Sequence, residues 1–105
     1  MTTVSTHVLD SALGLPAAAL DVVLTTVDGV FLAAATTDAD GRIAWGHDLD
    51  PGDHVLTFAT GEWFGAAERD TFFPTVTLTV TVGADDHVHV ALLLGPYSYT
   101  TYKGS

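Results

Sequence analysis

The chain has no cysteine, only three basic residues among 105, and no apolar run long enough to cross a bilayer. Lack of cysteine removes disulfides, thiol nucleophiles and thiolate metal sites together. Lys and Arg total 3 against 13 acidic residues, for a formal charge of −10. Such a surface repels phosphate backbones and anionic lipid, which argues against nucleic-acid and membrane partners. Asp21, Asp28 and Asp38 interrupt the richest apolar region, well short of the roughly 20 residues of a membrane helix. The opening segment MTTVSTHVLD has no basic patch, no long apolar core and no secretory cleavage pattern. A soluble, cytoplasmic protein is therefore expected. Equally missing are a Gly-rich phosphate loop, a serine-nucleophile elbow, a His-Glu-x-x-His helix and calcium-loop spacing.

What is present is a folded chain of one domain, residues 1–105. Hydrophobic residues make up 48% and charged ones 15%, a balance that excludes disorder. A chain of this length buries roughly two-thirds of its unfolded surface, enough for one core. Turn signals recur about every ten residues between runs rich in Val, Thr, Leu and Phe, the cadence of an all-β sandwich. Strands are expected over residues 3–10, 20–27, 30–37, 42–45, 54–60, 72–82 and 87–94, with a last polar-aromatic run after Pro96. Asp28-Gly29 is a hairpin signal, and Pro51-Gly52-Asp53 and Gly83-Ala-Asp-Asp86 are further turns. Residues 61–70 lack alternation and hold helix formers, which predicts one short helix there.

Five histidines in a cysteine-free chain draw attention. His47, beside Asp48 and Asp50 in a turn region, and His54, opening a strand, read as surface residues. His87 and His89 are two apart on a strand and so share one face, opposite apolar Val88, Val90, Leu92 and Leu94. A pair of this kind binds a metal, positions a water or is merely solvated. In the first strand Ser5, His7 and Leu9 alternate with Val4, Thr6 and Val8, and neither face is cleanly apolar. Arg69, between Glu68 and Asp70, reads as a locally neutralised surface charge. Arg42 follows an acidic turn, where Asp38 or Asp40 can hold it, or it can clamp an anionic, oxygen-rich ligand. Lys103 lies in a terminal segment that also holds Tyr97, Tyr99 and Tyr102.

Four segments carry a family resemblance. Ser5-Thr-His-Val-Leu-Asp-Ser-Ala-Leu-Gly-Leu-Pro-Ala17, Thr37-Asp-Ala-Asp-Gly-Arg42, Phe72-Phe-Pro74, and the stretch from His87 to Thr101-Tyr-Lys-Gly-Ser105 resemble the transthyretin-related 5-hydroxyisourate hydrolases. The resemblance runs from residue 5 to the end, and the terminal Tyr-Lys/Arg-Gly-Ser is its specific part. It implies a transthyretin/prealbumin-like two-sheet β-sandwich with one short helix, assembled as a homotetramer, a dimer of dimers with sites where dimers meet. It implies hydrolysis of 5-hydroxyisourate, from urate (purine) catabolism, to 2-oxo-4-hydroxy-4-carboxy-5-ureidoimidazoline, with neither cofactor nor metal. The site residues it implies are His7, Arg42, His89, Tyr102 and Ser105, with His87 and Lys103 as further substrate contacts. His7 or His89 would activate water, Arg42 would stabilise the developing charge, and Tyr102 and Ser105 would shape the pocket.

The chain departs from the family pattern at four positions. Lys103 stands where arginine is usual, Asp38 where asparagine is usual, Val88 for an aromatic residue and Ala91 for a proline. An ammonium supplies charge without a bidentate fork, so the first departure bears on ligand clamping. Two other classes compete with the hydrolase: a transthyretin-like carrier of a small ligand, and a zinc protein using His7, His87 and His89. The carrier has no use for the His/Arg set, and the hydrolase chemistry has none for zinc.

Overall fold

A computed structural model describes residues 2–84 and 87–105 of the chain. The Asp85-Asp86 half of the expected turn before His87 lies outside the described residues. In chain order the strands are β1 (Thr2–Asp10), β2 (Leu15–Pro16), β3 (Asp21–Thr26), β4 (Phe31–Thr36), β5 (Arg42–Leu49) and β6 (Gly52–Phe58). The helix α1 (Thr60–Ala66) follows, then β7 (Val76–Val82), β8 (His87–Leu94) and β9 (Tyr99–Gly104). One sheet has the order β2-β1-β8-β9, with β5 also paired to β1, and the other the order β4-β3-β6-β7. This is the two-sheet sandwich with one short helix that the sequence predicts.

The core lies between the sheets and follows the two-residue strand period. Val4 and Val8 of β1 and Val88, Val90, Leu92 and Leu94 of β8 are buried on one side, with Ile43 and Trp45 of β5 beside them. Val22, Leu24, Leu56, Phe58, Val76 and Leu78 meet them from the other sheet. Burying a side chain of this size contributes about 1.5–3 kcal/mol. The ambiguity in β1 resolves because Thr6 is tolerated inside, its Oγ1 donating to the Val90 carbonyl at 2.7 Å. Ser5 and His7 therefore take the outer face.

Several expectations are corrected. Helix α1 stops at Ala66 rather than Asp70, because Glu68 adopts φ 56° and the N–H of Arg69 turns back to the Phe64 carbonyl. Strand β7 begins at Val76 rather than Phe72. The Phe72 N–H donates to the Pro96 carbonyl, and Phe73 stacks edge-on against Tyr99 at 5.1 Å, which commits this stretch to a loop. Strand β5 runs on to Leu49, since its pairing with β1 continues to Thr2↔Leu49 beyond a register shift, so His47 is a strand residue, though exposed. His54 is buried, not superficial, with Nδ1 3.2 Å from the Gly52 carbonyl oxygen.

Arg69 reaches past its acidic neighbours to Asp10. Its Nη1 lies 2.6 Å from Oδ2 of that carboxylate, which is 2% exposed. The guanidinium also covers the Phe64 ring at 4.8 Å. Burial acts most strongly on Asp10 and opposes its ionisation. The Arg69 hydrogen bond and charge, with N–H donation from Leu13 and Ala12, outweigh that and hold its pKa below the ordinary carboxylate value.

Candidate active site

The site is set by one long-range pairing. Strands β1 and β8 run parallel in the register Thr3↔His87, Ser5↔His89 and His7↔Ala91. Opposed residues share a face, so Thr3, Ser5 and His7 stand beside His87 and His89 on the outer surface of the sheet. Strand β5 adds Arg42 directly across from His7 on the other flank of β1.

Arg42 owes its position to the turn before it. The Asp38 carboxylate accepts the N–H groups of Asp40 and Arg42, each at 2.9 Å. The Asp38 N–H reaches the Arg42 carbonyl at 3.0 Å, and the Gly41 carbonyl accepts from Val8 at 2.8 Å. Gly41 has φ 76°, and a Cβ there would strike the Val8 carbonyl oxygen, so both its conformation and its contact require glycine. Asp38 thus binds the Arg42 backbone rather than its guanidinium. Among the described residues that guanidinium makes no ion pair and is exposed.

His89 is half-buried between β1 and β9. Its Nδ1 is 2.6 Å from Ser5 Oγ, which also lies 2.7 Å from Nε2 of His87. His87 Nδ1 lies 2.7 Å from Thr3 Oγ1. On its other side His89 faces Gly104, where a Cβ would collide with the imidazole. Burial, followed by the charges of Arg42, His7 and His87, lowers the pKa of His89 below the ordinary 6.5. The lowering favours the neutral ring, whose Nδ1 is engaged by Ser5.

The terminal segment divides between two faces. Tyr102 pairs with Ala91 and Gly104 with His89, so both belong to the outer face carrying the histidines. Lys103 pairs with inward-facing Val90 and enters an open groove of about 260 Å³ at the sandwich edge, bordered by Val80, Val88, Tyr102 and His89. Ser105 follows β9 and is exposed. The structure therefore brings His7, Arg42, His87 and His89 together, with Tyr102 on the same face and Lys103 around the edge. His47 and His54 belong elsewhere. Thr3 and Ser5 were not among the expected site residues, and Ser5 was visible only as a member of the alternation and motif that include His7.

Among the described residues, no group of three or more His, Cys, Asp or Glu side chains is arranged to hold a metal ion. A cleft of about 370 Å³ beside α1, lined by Asp21, Glu62 and Trp63 among others, contains no histidine or arginine. No helix is long and apolar enough to cross a membrane among the described residues.

Fold and site together define a transthyretin-type sandwich with a His/Arg cluster on the outer face of one sheet. The HIUase/Transthyretin family profile matches residues 4–104, and the chain belongs to that family. It is 41% identical to the 5-hydroxyisourate hydrolase of Caulobacter vibrioides over 115 residues, covering all of both chains. The Klebsiella pneumoniae 5-hydroxyisourate hydrolase structure superposes with a TM-score of 0.92 at 37% identity, covering 100% of this chain and 94% of that one. Sea bream transthyretin in complex with thyroxine superposes with a TM-score of 0.84 at 25% identity, covering 96% of this chain and 93% of that one.

Proposed function

We propose that the chain, as one domain over residues 1–105, hydrolyses 5-hydroxyisourate to 2-oxo-4-hydroxy-4-carboxy-5-ureidoimidazoline. The observation that carries this reading is the half-buried His89, hydrogen-bonded to Ser5 and within the field of Arg42 and His7, on a chain with full-length hydrolase relatives. A water oxygen bonds to the ring-amide carbonyl carbon while His89 takes its proton. The carbonyl electron pair moves to oxygen, where the Arg42 guanidinium stabilises the charge. The adduct collapses with cleavage of the C–N bond, and the proton on His89 passes to the departing nitrogen. His7, opposite Arg42, and Tyr102 bind the substrate, with His87, Lys103 and Ser105 at the margins. The reaction as written consumes one water and needs no redox cofactor.

The same reading makes the protein a homotetramer, a dimer of dimers, acting in the cytoplasm. Support comes from the open setting of the site, since Arg42 and Tyr102 are exposed in the single chain. A second copy over this face would narrow its access to bulk solvent. Native mass spectrometry tests this directly, and a monomer active at nanomolar concentration would overturn it.

The test of function is the ultraviolet decay of 5-hydroxyisourate, made in place from urate by urate oxidase. Acceleration over the spontaneous rate that disappears in His89→Asn and His7→Asn supports the hydrolase. Decay at the spontaneous rate with the unaltered protein would leave the alternative, a non-catalytic small-ligand carrier. The fold shared with thyroxine-bound sea bream transthyretin favours that second reading.

A further inference from the structure

Three contacts join four side chains into one hydrogen-bonded line. Thr3 Oγ1 meets His87 Nδ1 at 2.7 Å, His87 Nε2 meets Ser5 Oγ at 2.7 Å, and Ser5 Oγ meets His89 Nδ1 at 2.6 Å. A neutral imidazole carries one N–H and one lone pair, and a hydroxyl carries one proton to donate. Such a line has only two self-consistent proton orders. In the first, His89 Nδ1–H donates to Ser5, the Ser5 hydroxyl donates to His87 Nε2, and His87 Nδ1–H donates to Thr3. His89 Nε2 is then a bare lone pair. In the second every bond reverses, and His89 Nε2 carries a hydrogen and is useless as a base.

We propose that Ser5, itself oriented by His87 and Thr3, is a positioning residue that holds His89 in the Nδ1–H tautomer and so presents Nε2 to the attacking water. This rests on the hydrolase reading above. The charge on Arg42 disfavours a further proton on His89 at rest, and the first order gives the base its lone pair at the only ring nitrogen Ser5 leaves free. It also joins the two imidazoles by one proton path. When His89 gains a proton at Nε2, its Nδ1 proton can move to Ser5 while the Ser5 proton moves to His87. His89 is then neutral and the exposed His87 is the imidazolium, with no proton created or lost. The groups facing His89 are Ser5 and His7 on β1, Arg42 on β5, His87 on its own strand, and Tyr102 and Lys103 at β9.

The arrangement explains why a serine, rather than a larger polar residue, stands at this place. The oxygen must lie within bonding distance of two rings set two residues apart on one strand face. Only a short hydroxyl on the neighbouring strand at the same register does so, and threonine preserves that oxygen on a β-strand.

The experiment compares Ser5→Ala and Ser5→Thr with the unaltered protein in two measurements. Histidine-selective ¹⁵N NMR reads the tautomers without substrate, and steady-state hydrolysis of 5-hydroxyisourate gives kcat, KM and their pH profiles. The expected result is a single Nδ1–H signature for His89 that becomes mixed in Ser5→Ala. There kcat falls about 10- to 100-fold, part of what a general base contributes, with KM within twofold and an altered acidic limb. Ser5→Thr restores the signature and most of kcat. The proposal is overturned if Ser5→Ala keeps the His89 signature, or keeps kcat and pH profile within twofold. It is equally overturned if Ser5→Thr recovers neither. Failure of the unaltered protein to turn over substrate would instead remove the hydrolase reading, and the NMR comparison would still decide the tautomer.

Discussion

Gly104 lies directly across the β8–β9 ladder from His89, and the imidazole occupies the space that a Cβ at residue 104 would fill. The glycine of the terminal Tyr-Lys-Gly-Ser segment is thus explained by contact rather than by backbone conformation, since its φ is not in the left-handed region. Adding a methyl group must push the ring off its seat against β9. Gly104→Ala is therefore expected to reduce kcat about 100-fold, the scale of an ångström-sized misplacement at a reacting group. Thermal unfolding should be nearly unchanged, because residue 104 ends an edge strand. Turnover and a melting curve on the same sample check both halves.

The titration of His89 should report its neighbours. Burial comes first and the Arg42 charge second among the causes that lower its pKa. Replacing Arg42 by Gln removes the second and leaves the first. The His89 NMR titration should move upward toward 6.5 without reaching it. In the unaltered enzyme a base of depressed pKa stays unprotonated to lower pH, so the acidic limb of kcat/KM should fall below 6.5, the ordinary imidazole value. A limb above that value would count against His89 as the base.

On the proposed reading Arg42 would meet the substrate, and among the described residues no carboxylate pairs with its guanidinium, because Asp38 is occupied by backbone N–H groups. Arg42→Ala should lower kcat by about 10²–10³, the range seen when one donor to a developing oxyanion is lost. Arg42→Lys should recover only part, because an ammonium keeps the charge but not the planar fork. Full recovery would mean that charge alone acts there.

Asp10 and Arg69 supply a stability test independent of the chemistry. Asp10→Asn removes one partner of a buried pair and should cost about 3 kcal/mol, read from urea unfolding. The sign with pH follows from linkage. The folded pKa of Asp10 is held below its unfolded value of 3.8, so its contribution is complete above that value and fades as pH falls through the folded pKa. The difference in stability between the unaltered protein and Asp10→Asn should accordingly narrow below pH 3.8. A difference independent of pH there would show that the charge plays no part.

Much of this was legible along the chain. The alternation of β8 placed His87 and His89 on one face opposite Val88, Val90, Leu92 and Leu94, and that arrangement is the observed one. The first strand, the Asp-Gly hairpin and the short helix also followed from local signals, whereas the last polar-aromatic run, not read as a strand, forms β9 on β8. Local signals failed where a distant partner competed. Phe72 and Phe73 have strand-like side chains, yet Pro96 and Tyr99 draw them into a loop. Arg69 sits between two acids, yet pairs with Asp10, whose buried carboxylate has far more to gain from a cation than an exposed one.

Periodicity, charge and turn chemistry act over a few residues, and by themselves they determined the class of fold, the faces of β8 and the pool of histidines and arginines, while the faces of β1 waited on the structure. The family resemblance on which the proposed reaction rests came instead from four motif segments, the terminal Tyr-Lys-Gly-Ser among them. Only the tertiary structure decided that β1 and β8 run side by side, since strand pairing over more than 80 residues of separation leaves no periodic trace. That pairing sets Ser5 between two imidazoles, and the β1–β5 and β8–β9 ladders bring Arg42 and Gly104 to the same face. Hydrogen bonds of under 3 Å depend on register, and register is settled by packing the whole sandwich.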